Sequence, residues 1–374
     1  MYLHDIQLIN FKNYKETQVA FSDNVNGVVG MNGTGKTNLL DAIHYLALCK
    51  SYFNAQDGYA VNFDADFFAI HGNFISRETQ QNYKISCTYK TAGRKAMKMN
   101  GKEYDRFSDH IGMFPVVMVS PYDCDIINDG SDVRRKFFDM MIAQFDHEYL
   151  HQLISYQKII HQRNTVLKKM LENRTIDQPL LALYDEQLDT PANYIYLKRK
   201  LFIDSILPVF QQHYDRLTDH REEVSLFYQT DMNHATFLQG IQAAYATDMK
   251  CGYSTFGVHK DDFLFHIDGR QVKKYGSQGQ QKAFALALKL AHFDYIYERK
   301  KIKQIILLYD IFDKLDKQRT ARLLELVGQD HFGQVFISDT DESRVSNILT
   351  AFNIAHQMLN VTPALTQNYL SPEE

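Results

Sequence analysis

Short apolar runs separated by polar turns make up the first third of the chain. Strands are predicted at residues 26–30 and 114–119, where consecutive apolar positions are bounded by turn residues. One early helix, over residues 38–43, directly follows the first of these strands. Alternating strand and helix is typical of an α/β domain.

The hydrophobic pattern changes to helical spacing from residue 133 to about residue 245, and turn signals become few. Strand character returns at residues 263–267, which the turn dipeptide Asp268-Gly269 follows. The helical block therefore reads as an insertion. We predict one domain from residues 1–127 and 250–374, interrupted by a helical arm over residues 128–249. No heptad pattern is long enough for an extended coiled coil.

The composition is that of an ordinary globular protein, with 45% hydrophobic and 23% charged residues among 374. No run of eighteen apolar residues occurs and the start lacks the features of a signal peptide, so we expect a cytoplasmic protein with no membrane partner. Its four cysteines are widely spaced, which favours reduced thiols. The net charge is −4, so any contact with nucleic acid must be local.

A phosphate-binding loop is the clearest motif. Residues 30–37 match G-x-x-x-x-G-K-[ST], follow an apolar strand and open a helix, which is the context that this motif requires. Lys36 would reach the β- and γ-phosphates of ATP, and the Thr37 hydroxyl would hold Mg²⁺. The predicted nucleotide-binding residues here are Gly30, Met31, Asn32, Gly33, Thr34, Gly35, Lys36, Thr37 and Asn38.

A second polar loop, which we call the serine-glycine loop, spans Ser277–Gln281 and precedes a strong helix. An apolar strand at residues 305–308 then ends in Tyr309-Asp310, and a Leu-Asp loop follows at residues 313–316. These motifs stand in the order found in ABC-type ATPases, in which the second helix end contacts the nucleotide of the other subunit. The order predicts an ATP-dependent homodimer. The predicted contacts across it are Ser277, Gln278, Gly279 and Gln280.

Four further segments extend the resemblance to the RecF family over nearly the whole chain. Residues 9–14 resemble the family's opening strand, with Lys12 where arginine is usual. Residues 120–123, residues 156–168 and residues 257–262 resemble its middle signature, its arm helix and the segment that leads to the serine-glycine loop. The resemblance implies an ABC-type ATPase head, a P-loop NTPase, with a short helical arm in place of the coiled coil of SMC proteins.

The same resemblance implies a role in DNA repair, recombination and replication, including the SOS response. It implies ATP-dependent dimerisation on double-stranded DNA near single-stranded gaps, with RecO and RecR as partners in loading RecA. A weak, DNA-dependent ATPase activity would accompany this role, with Lys36 and Asp310 as the catalytic residues.

One position departs from the family pattern. Two carboxylates normally end the acidic strand, the first serving Mg²⁺ and the second positioning water, but the first position here is Tyr309. Asp310 aligns with the second, and strand neighbours point to opposite faces, so Asp310 is not expected to replace the first. This departure puts hydrolysis in doubt more than binding. A histidine that senses the γ-phosphate is also missing, and Ser338 or Asp339 stands in that segment.

Two other functions share parts of these motifs. His147-Glu148-Tyr149-Leu150-His151 matches the H-E-x-x-H of zinc proteases, with Glu172 as a conceivable third ligand. A transporter-associated ABC ATPase subunit would contain the same phosphate loop, but it gives no reason for the inserted helical arm. Binding of duplex DNA without a membrane partner would distinguish the RecF reading from the transporter.

Overall fold

The contacts of the computed structural model divide the chain into two compact units. The second unit continues through the serine-glycine loop to Ala291, beyond residue 250, where the sequence pattern predicts the return to the head. The boundaries of the helical insertion stay a proposal. The structure describes residues 1–54, 56–91, 93–218, 222–312, 317–328, 331–363 and 365. Unit 1 comprises Met1–Asp123, Arg216–Thr218 and His292–Glu374, and unit 2 comprises Cys124–Asp215 and Asp219–Ala291.

Unit 1 contains two sheets, whose strands are numbered in chain order with those of unit 2. The first is antiparallel, in the order β2-β1-β4-β5-β6-β7, and the second is parallel, in the order β14-β3-β13-β12-β8. Strands β3, β8 and β13 are buried throughout, as expected for a parallel sheet. Their bounds are β1 Tyr2–Phe11, β2 Tyr14–Ala20, β3 Val25–Val29, β4 Phe67–Ile75, β5 Asn82–Lys90, β6 Ala96–Met99, β7 Lys102–Glu103, β8 Val116–Val119, β12 Ile305–Tyr309, β13 Val335–Asp339 and β14 His356–Asn360.

Among the described residues, three α-helices lie wholly in unit 1, and the first begins within the phosphate-binding loop of residues 30–37, which we call the glycine loop. This helix, α1, is buried along most of its length. The last, α11, begins at an aspartate cap, because the Asp341 carboxylate accepts from the backbone N–H of Arg344 at 3.0 Å. The three are α1 Lys36–Leu48, α10 Lys317–Gly328 and α11 Glu342–Ala351.

Unit 2 is mainly helical and includes the two longest helices, α4 and α5. Helix α4 begins at Asp146, whose carboxylate accepts from the backbone N–H of Tyr149 at 2.9 Å. Helices α5 and α9 also carry residues that belong to unit 1. The helices are α2 Asp125–Asn128, α3 Ser131–Ala143, α4 His147–Asn173, α5 Gln178–Thr218, α6 Phe237–Ala243, α7 Tyr245–Cys251, α8 Val272–Tyr275 and α9 Gln278–Lys300. Among the described residues of both units, 3-10 turns lie at Asp57–Ala60, Phe107–Asp109, Pro121–Cys124 and Asp231–Asn233.

A three-stranded antiparallel sheet completes unit 2, formed by β9 (Val224–Gln229), β10 (Asp262–Ile267) and β11 (Arg270–Gln271). The turn predicted at Asp268-Gly269 is confirmed, since both residues have positive φ, 47° and 72°, and join β10 to β11.

Strand β9 corrects the prediction of an uninterrupted helical block. Val224 and Leu226 are buried while Phe227 is exposed, so the segment alternates with a period of two. Its partner β10 lies more than 30 residues further along the chain, and pairing with it gives this short alternation its strand conformation.

A buried ion network fixes the helices of unit 2. The Arg199 guanidinium donates to both carboxylate oxygens of Asp139 at 3.0 Å, and also to Asp261 at 3.0 Å. The Tyr149 hydroxyl donates to Asp139 at 2.5 Å. Breaking a buried pair by removing one partner leaves an uncompensated charge, which costs about 3–5 kcal/mol. Arg199, part of a basic run in the sequence, therefore has a structural role.

A second basic run, residues 134–136, contains one arginine that is paired within the unit and one lysine that is exposed. Arg134 donates to both oxygens of Asp262, at 2.7 and 2.9 Å, whereas Lys136 is exposed.

None of the described helices is long and apolar enough to cross a membrane. The four cysteines, Cys49, Cys87, Cys124 and Cys251, are free thiols.

Candidate nucleotide-binding site

The site lies in unit 1, at the edge where the parallel strands end. The glycine loop follows β3, Asp310 follows β12 and Asp339 ends β13. The carboxyl ends of β3, β13 and β12 are neighbours in the sheet, so these groups meet at one edge. Ligands of open parallel sheets bind at this edge.

Three glycines give the loop its shape. Gly30, Gly33 and Gly35 have φ of 150°, 82° and 116°, a region that side chains with a Cβ rarely adopt. A Cβ on Gly30 would come within 2.4 Å of the Val361 carbonyl oxygen. A Cβ on Gly33 would meet nothing within 4 Å, so this residue faces open space. The loop is thus packed on one side and accessible on the other.

The turn between β1 and β2 braces the loop from its packed side. The Asn13 amide donates to the Thr34 carbonyl at 3.1 Å, and the Tyr14 hydroxyl donates to the Gly35 carbonyl at 3.1 Å. Asn38, on the first turn of α1, donates its amide to Asn13 at 2.7 Å. Sequence reasoning did not assign Asn13 or Tyr14 to the site, because their contacts lie about 20 residues away along the chain.

Lys36 folds back over the loop. Its ammonium donates to the carbonyl of Gly30 at 2.6 Å and to that of Met31 at 2.9 Å. Burial lowers the pKa of Lys36, while the carboxylates of Asp310 and Asp339 act in the opposite direction. A bound phosphate would give this buried cation the strong anionic partner that carbonyl dipoles supply only in part.

Tyr309 ends β12, at the edge of the sheet where the glycine loop also lies. Burial raises the pKa of Tyr309, the side chain of Thr37 lowers it, and the negative charge of Asp310 raises it further. The phenol is therefore neutral at ordinary pH.

The expectation that Tyr309 and Asp310 point to opposite faces requires a regular strand at both residues. The strand ends at Tyr309, and Asp310 has a left-handed φ of 47°, so the alternation of a regular strand does not extend to Asp310.

The donor set beside Thr37 does not fit an ion held by the protein. Mg²⁺ in proteins is usually bound by one or two carboxylates together with phosphates and water, whereas the residue at the end of β12, where the first carboxylate is expected, is Tyr309. The prediction that Thr37 holds Mg²⁺ stays a prediction.

Aromatic packing holds the Tyr309 ring in place. Phe53 meets it edge to face, with ring centroids 5.7 Å apart, and packs in the same way on Tyr122 at 6.3 Å. The Lys12 ammonium lies 5.5 Å from the Phe53 ring centre and pairs with the buried Asp41 at 2.6 Å. Aromatic rings therefore surround the end of β12.

Strand β13 ends in two buried polar residues, Ser338 and Asp339, in the segment where many ABC proteins have a histidine. The Ser338 hydroxyl accepts from the backbone N–H of Asp310 at 3.2 Å. Both Asp339 oxygens accept from Arg344, at 2.6 and 2.7 Å. Ser338 therefore contacts the residue that follows β12, whereas Asp339 is paired with an arginine.

The serine-glycine loop, in unit 2, forms a capping box at the start of α9. The Ser277 hydroxyl accepts from the backbone N–H of Gln280 at 3.2 Å, and the Gln280 side chain accepts from the N–H of Ser277 at 2.7 Å. Ser277 and Gln278 are exposed. The Leu-Asp loop at residues 313–316 lies outside the described residues.

The length of α4 decides whether Glu172 is the third ligand of a zinc site at the H-E-x-x-H match. His147 and Glu148 are exposed at its first turn, and Glu148 accepts from the Gln152 amide at 2.5 Å. Glu172 lies at the other end of this unbroken helix, about 36 Å from Glu148 at 1.5 Å per residue. Glu172 therefore cannot complete a zinc site with His147 and His151.

A glycine loop between a buried parallel strand and a helix, with acid-ended strands beside it, defines an ABC-type P-loop ATPase head. Residues 2–362 match the family model of the RecF/RecN/SMC N terminal domain. The DNA replication and repair protein RecF of Flavobacterium johnsoniae is 42% identical over 361 residues, which cover 96% of this chain and 100% of that protein. The chain belongs to the RecF family.

Two solved structures of the recombination mediator protein RecF in the RecFOR pathway are also similar. The RecF-ATPrS structure is 28% identical with a TM-score of 0.86, over 97% of this chain and 96% of that chain. The RecF-ATP structure is 29% identical with a TM-score of 0.85, over 91% of this chain and 92% of that chain.

Proposed function

We propose that this chain is an ATP-binding mediator of DNA repair and recombination. Its loop at residues 30–37 binds the phosphates of ATP, with Lys36 on the β- and γ-phosphates and the first amides of α1 directed at them. The observation that carries the proposal is the Lys36 side chain, which is buried against the loop and whose ammonium is bonded only to carbonyls among the contacts described. The RecF-ATP structure supports the same ligand.

The proposed assembly is a homodimer formed on double-stranded DNA next to single-stranded gaps. The exposed Ser277 at the N-terminus of α9 would contact the γ-phosphate of ATP bound to the other subunit. As the family resemblance implies, RecO and RecR would act with this dimer in loading RecA, in the cytoplasm. The RecFOR context of the similar structures supports this part.

ATP turnover is proposed to be weak. Asp310 would position the attacking water, but the carboxylate that normally serves Mg²⁺ is replaced here by the phenol of Tyr309. Positioning of the reacting groups supplies much of the catalysis in phosphoryl transfer. ATP therefore acts mainly as the signal for assembly, and slow hydrolysis ends it.

Sedimentation velocity tests the proposal directly. The protein is run with ATP, with ADP and without nucleotide, each with and without duplex DNA. ATP is expected to double the mass of the sedimenting species and to increase its binding to duplex, whereas ADP is not, because it lacks the γ-phosphate. A mass that ATP leaves unchanged across micromolar concentrations would contradict the homodimer.

A further inference from the structure

Unit 2 contains a cavity of about 190 Å³, lined by α3, α4, α5 and the segment before β10. A cavity holds one water once it exceeds about 10–15 Å³, so this one has room for a larger ligand. Three of the charged side chains that line it are cations and two are carboxylates, which favours an anion. Among the described residues these side chains are Asp132, Arg135, Lys136, Asp139 and Arg199.

Two of the three cations are already paired. Arg199 donates to both oxygens of Asp139 at 3.0 Å, and the Lys136 ammonium lies 3.5 Å from the Asp132 carboxylate. The Arg135 guanidinium instead donates to the main-chain carbonyl of Asp261 at 2.5 Å. Among the described residues, Arg135 is therefore the cation of this cavity that forms no ion pair.

The surroundings of Arg135 favour an anionic ligand. The residue is half-buried, and burial lowers the pKa of Arg135, as does the positive charge of Arg199 nearby. Carboxylates act in the opposite direction without forming an ion pair with it, namely those of Asp132, Asp261 and Asp139. An anion in the cavity would stabilise the charged guanidinium at a place where water does so only in part.

The donors of the cavity fit a phosphate group. An arginine has five N–H donors in a planar fork, so one bond to a carbonyl leaves others for two parallel bonds to a phosphate. The exposed side chains of Lys136 and Gln157 line the cavity from α3 and α4 and add donors. The oxygens of a phosphate form a tetrahedron and reach several such donors at once, whereas those of a carboxylate lie in one plane.

From this arrangement we propose that the cavity is a phosphate-binding site of unit 2, with Arg135 as the cationic partner of the phosphate. Lys136 and Gln157 complete the set of donors. Two sources offer this chemistry, a backbone phosphate of duplex DNA and a free phosphate. The first source rests on the proposed function, but binding of the phosphate group itself does not.

The first test measures the melting temperature of the full-length protein in increasing inorganic phosphate, at constant ionic strength and with acetate as the reference anion. A ligand of the folded state raises this temperature with its concentration, which gives an apparent affinity. Arg135→Gln is expected to weaken the apparent affinity for phosphate by about tenfold or more, the usual contribution of a hydrogen bond to a charged group. Acetate should show no such difference.

Lys158→Gln is the matched control. Lys158 is exposed on α4, next to Gln157 but outside the lining of the cavity, and its loss removes the same charge. Phosphate in the glycine loop and the general effect of phosphate on stability are common to all these proteins, so differences between them report the cavity. Equal responses of Arg135→Gln and Lys158→Gln overturn the inference, and so does a difference that acetate reproduces.

Asp132→Asn keeps the test decisive even if Arg135→Gln does not fold. The exposed Asp132 carboxylate repels an anion and pairs with Lys136, so its removal takes away a repulsion and frees a cation. Phosphate should bind Asp132→Asn more tightly than the wild type. Unchanged or weaker binding overturns the inference.

Duplex DNA distinguishes the two sources. If the cavity takes a backbone phosphate, the slope of log K against log salt is smaller by about 0.9 in Arg135→Gln than in Lys158→Gln, the value for one phosphate. An unchanged slope together with a weakened response to inorganic phosphate assigns the site to a free phosphate. Absence of duplex binding in every protein contradicts the proposed function and leaves the phosphate measurement standing.

Discussion

His259 in unit 2 is a histidine that folding holds in its neutral form. Its Nε2–H donates to the Ser254 carbonyl at 3.1 Å, so Nδ1 is left to accept from the Tyr156 hydroxyl at 2.7 Å. Burial lowers the pKa of His259 to about 4, and the nearby cations of Lys260 and Arg135 add to this effect. The imidazole thus links α4 to the segment before β10 without carrying charge.

Stability is therefore expected to depend on pH through His259. The unfolded chain binds the proton near pH 6.5 and the folded chain only near pH 4, so this contribution is complete above about pH 6.5 and is lost as pH falls towards 4. Relative to His259→Gln, the free energy of unfolding of the wild type should fall by up to about 1.4 kcal/mol per pH unit in that window. Urea unfolding followed by circular dichroism measures it.

His147→Gln is the matched control, since His147 is exposed on the first turn of α4. Its unfolding free energy should follow the wild type at every pH. Parallel pH profiles for wild type and His259→Gln would show that His259 does not contribute.

Individual residues also mark how far the sequence predicts the site. The glycine loop follows from local sequence, because its turn needs glycine at positive φ and its helix begins at Lys36. The left-handed φ of Asp310 does not, because the regular strand pattern does not predict it. The same holds for Arg199, whose partners Asp139 and Asp261 lie about 60 residues away on either side.

Helices α6 and α9 both begin with a capping box. At α6, the Thr236 hydroxyl accepts from the N–H of Gln239 at 3.3 Å and the Gln239 side chain accepts from the N–H of Thr236 at 3.1 Å. Ser277 and Gln280 repeat this capping box at α9. The chain therefore offers two chemically matched caps, of which one belongs to the serine-glycine loop.

This match allows the loss of a cap to be separated from the loss of the dimer contact. Both Ser277→Arg and Thr236→Arg should lower stability by about 1 kcal/mol, the usual contribution of a hydroxyl cap. Only Ser277→Arg should abolish self-association in ATP, because the arginine would occupy the space of the γ-phosphate. Sedimentation velocity in ATP measures the association, and thermal melting measures the stability.

Equal loss of self-association in both variants would mean that dimerisation depends on helix stability instead of on the serine-glycine loop. Persistent association of Ser277→Arg would remove the loop from the dimer contact.

Elements differ in how well the sequence predicts them, and β9 shows why. Almost every residue of strands β3, β8 and β12 is buried, and these strands are visible without knowledge of their partners. Strand β9 is a half-exposed alternating segment between helices, and its conformation depends on pairing with β10. A helical pattern on both sides outweighs this alternation.

For the whole molecule, charge limits how DNA can be bound. The net charge is −4, and Arg134 and Arg199 are already paired within unit 2. Duplex binding in ATP is therefore expected to involve few phosphates and to weaken as salt rises. A plot of log K against log salt should be linear, and its slope divided by about 0.9 gives the number of phosphates neutralised. Sequence-specific binding that salt does not affect would contradict the proposed role.

The order of strands in the parallel sheet also constrains how the protein is made. Among the described strands, β3 pairs with β13 and β14, which lie some 300 residues later in the chain. The Val361 N–H closes the arrangement on the Val29 carbonyl at 2.7 Å, next to Gly30. On the ribosome, the strand before the glycine loop has no partner among the described strands until β13, which ends at Asp339, has emerged, and its end is closed only by residue 361. A nascent chain is thus unable to form its nucleotide site, and ATP can select only polypeptides whose synthesis has passed that point.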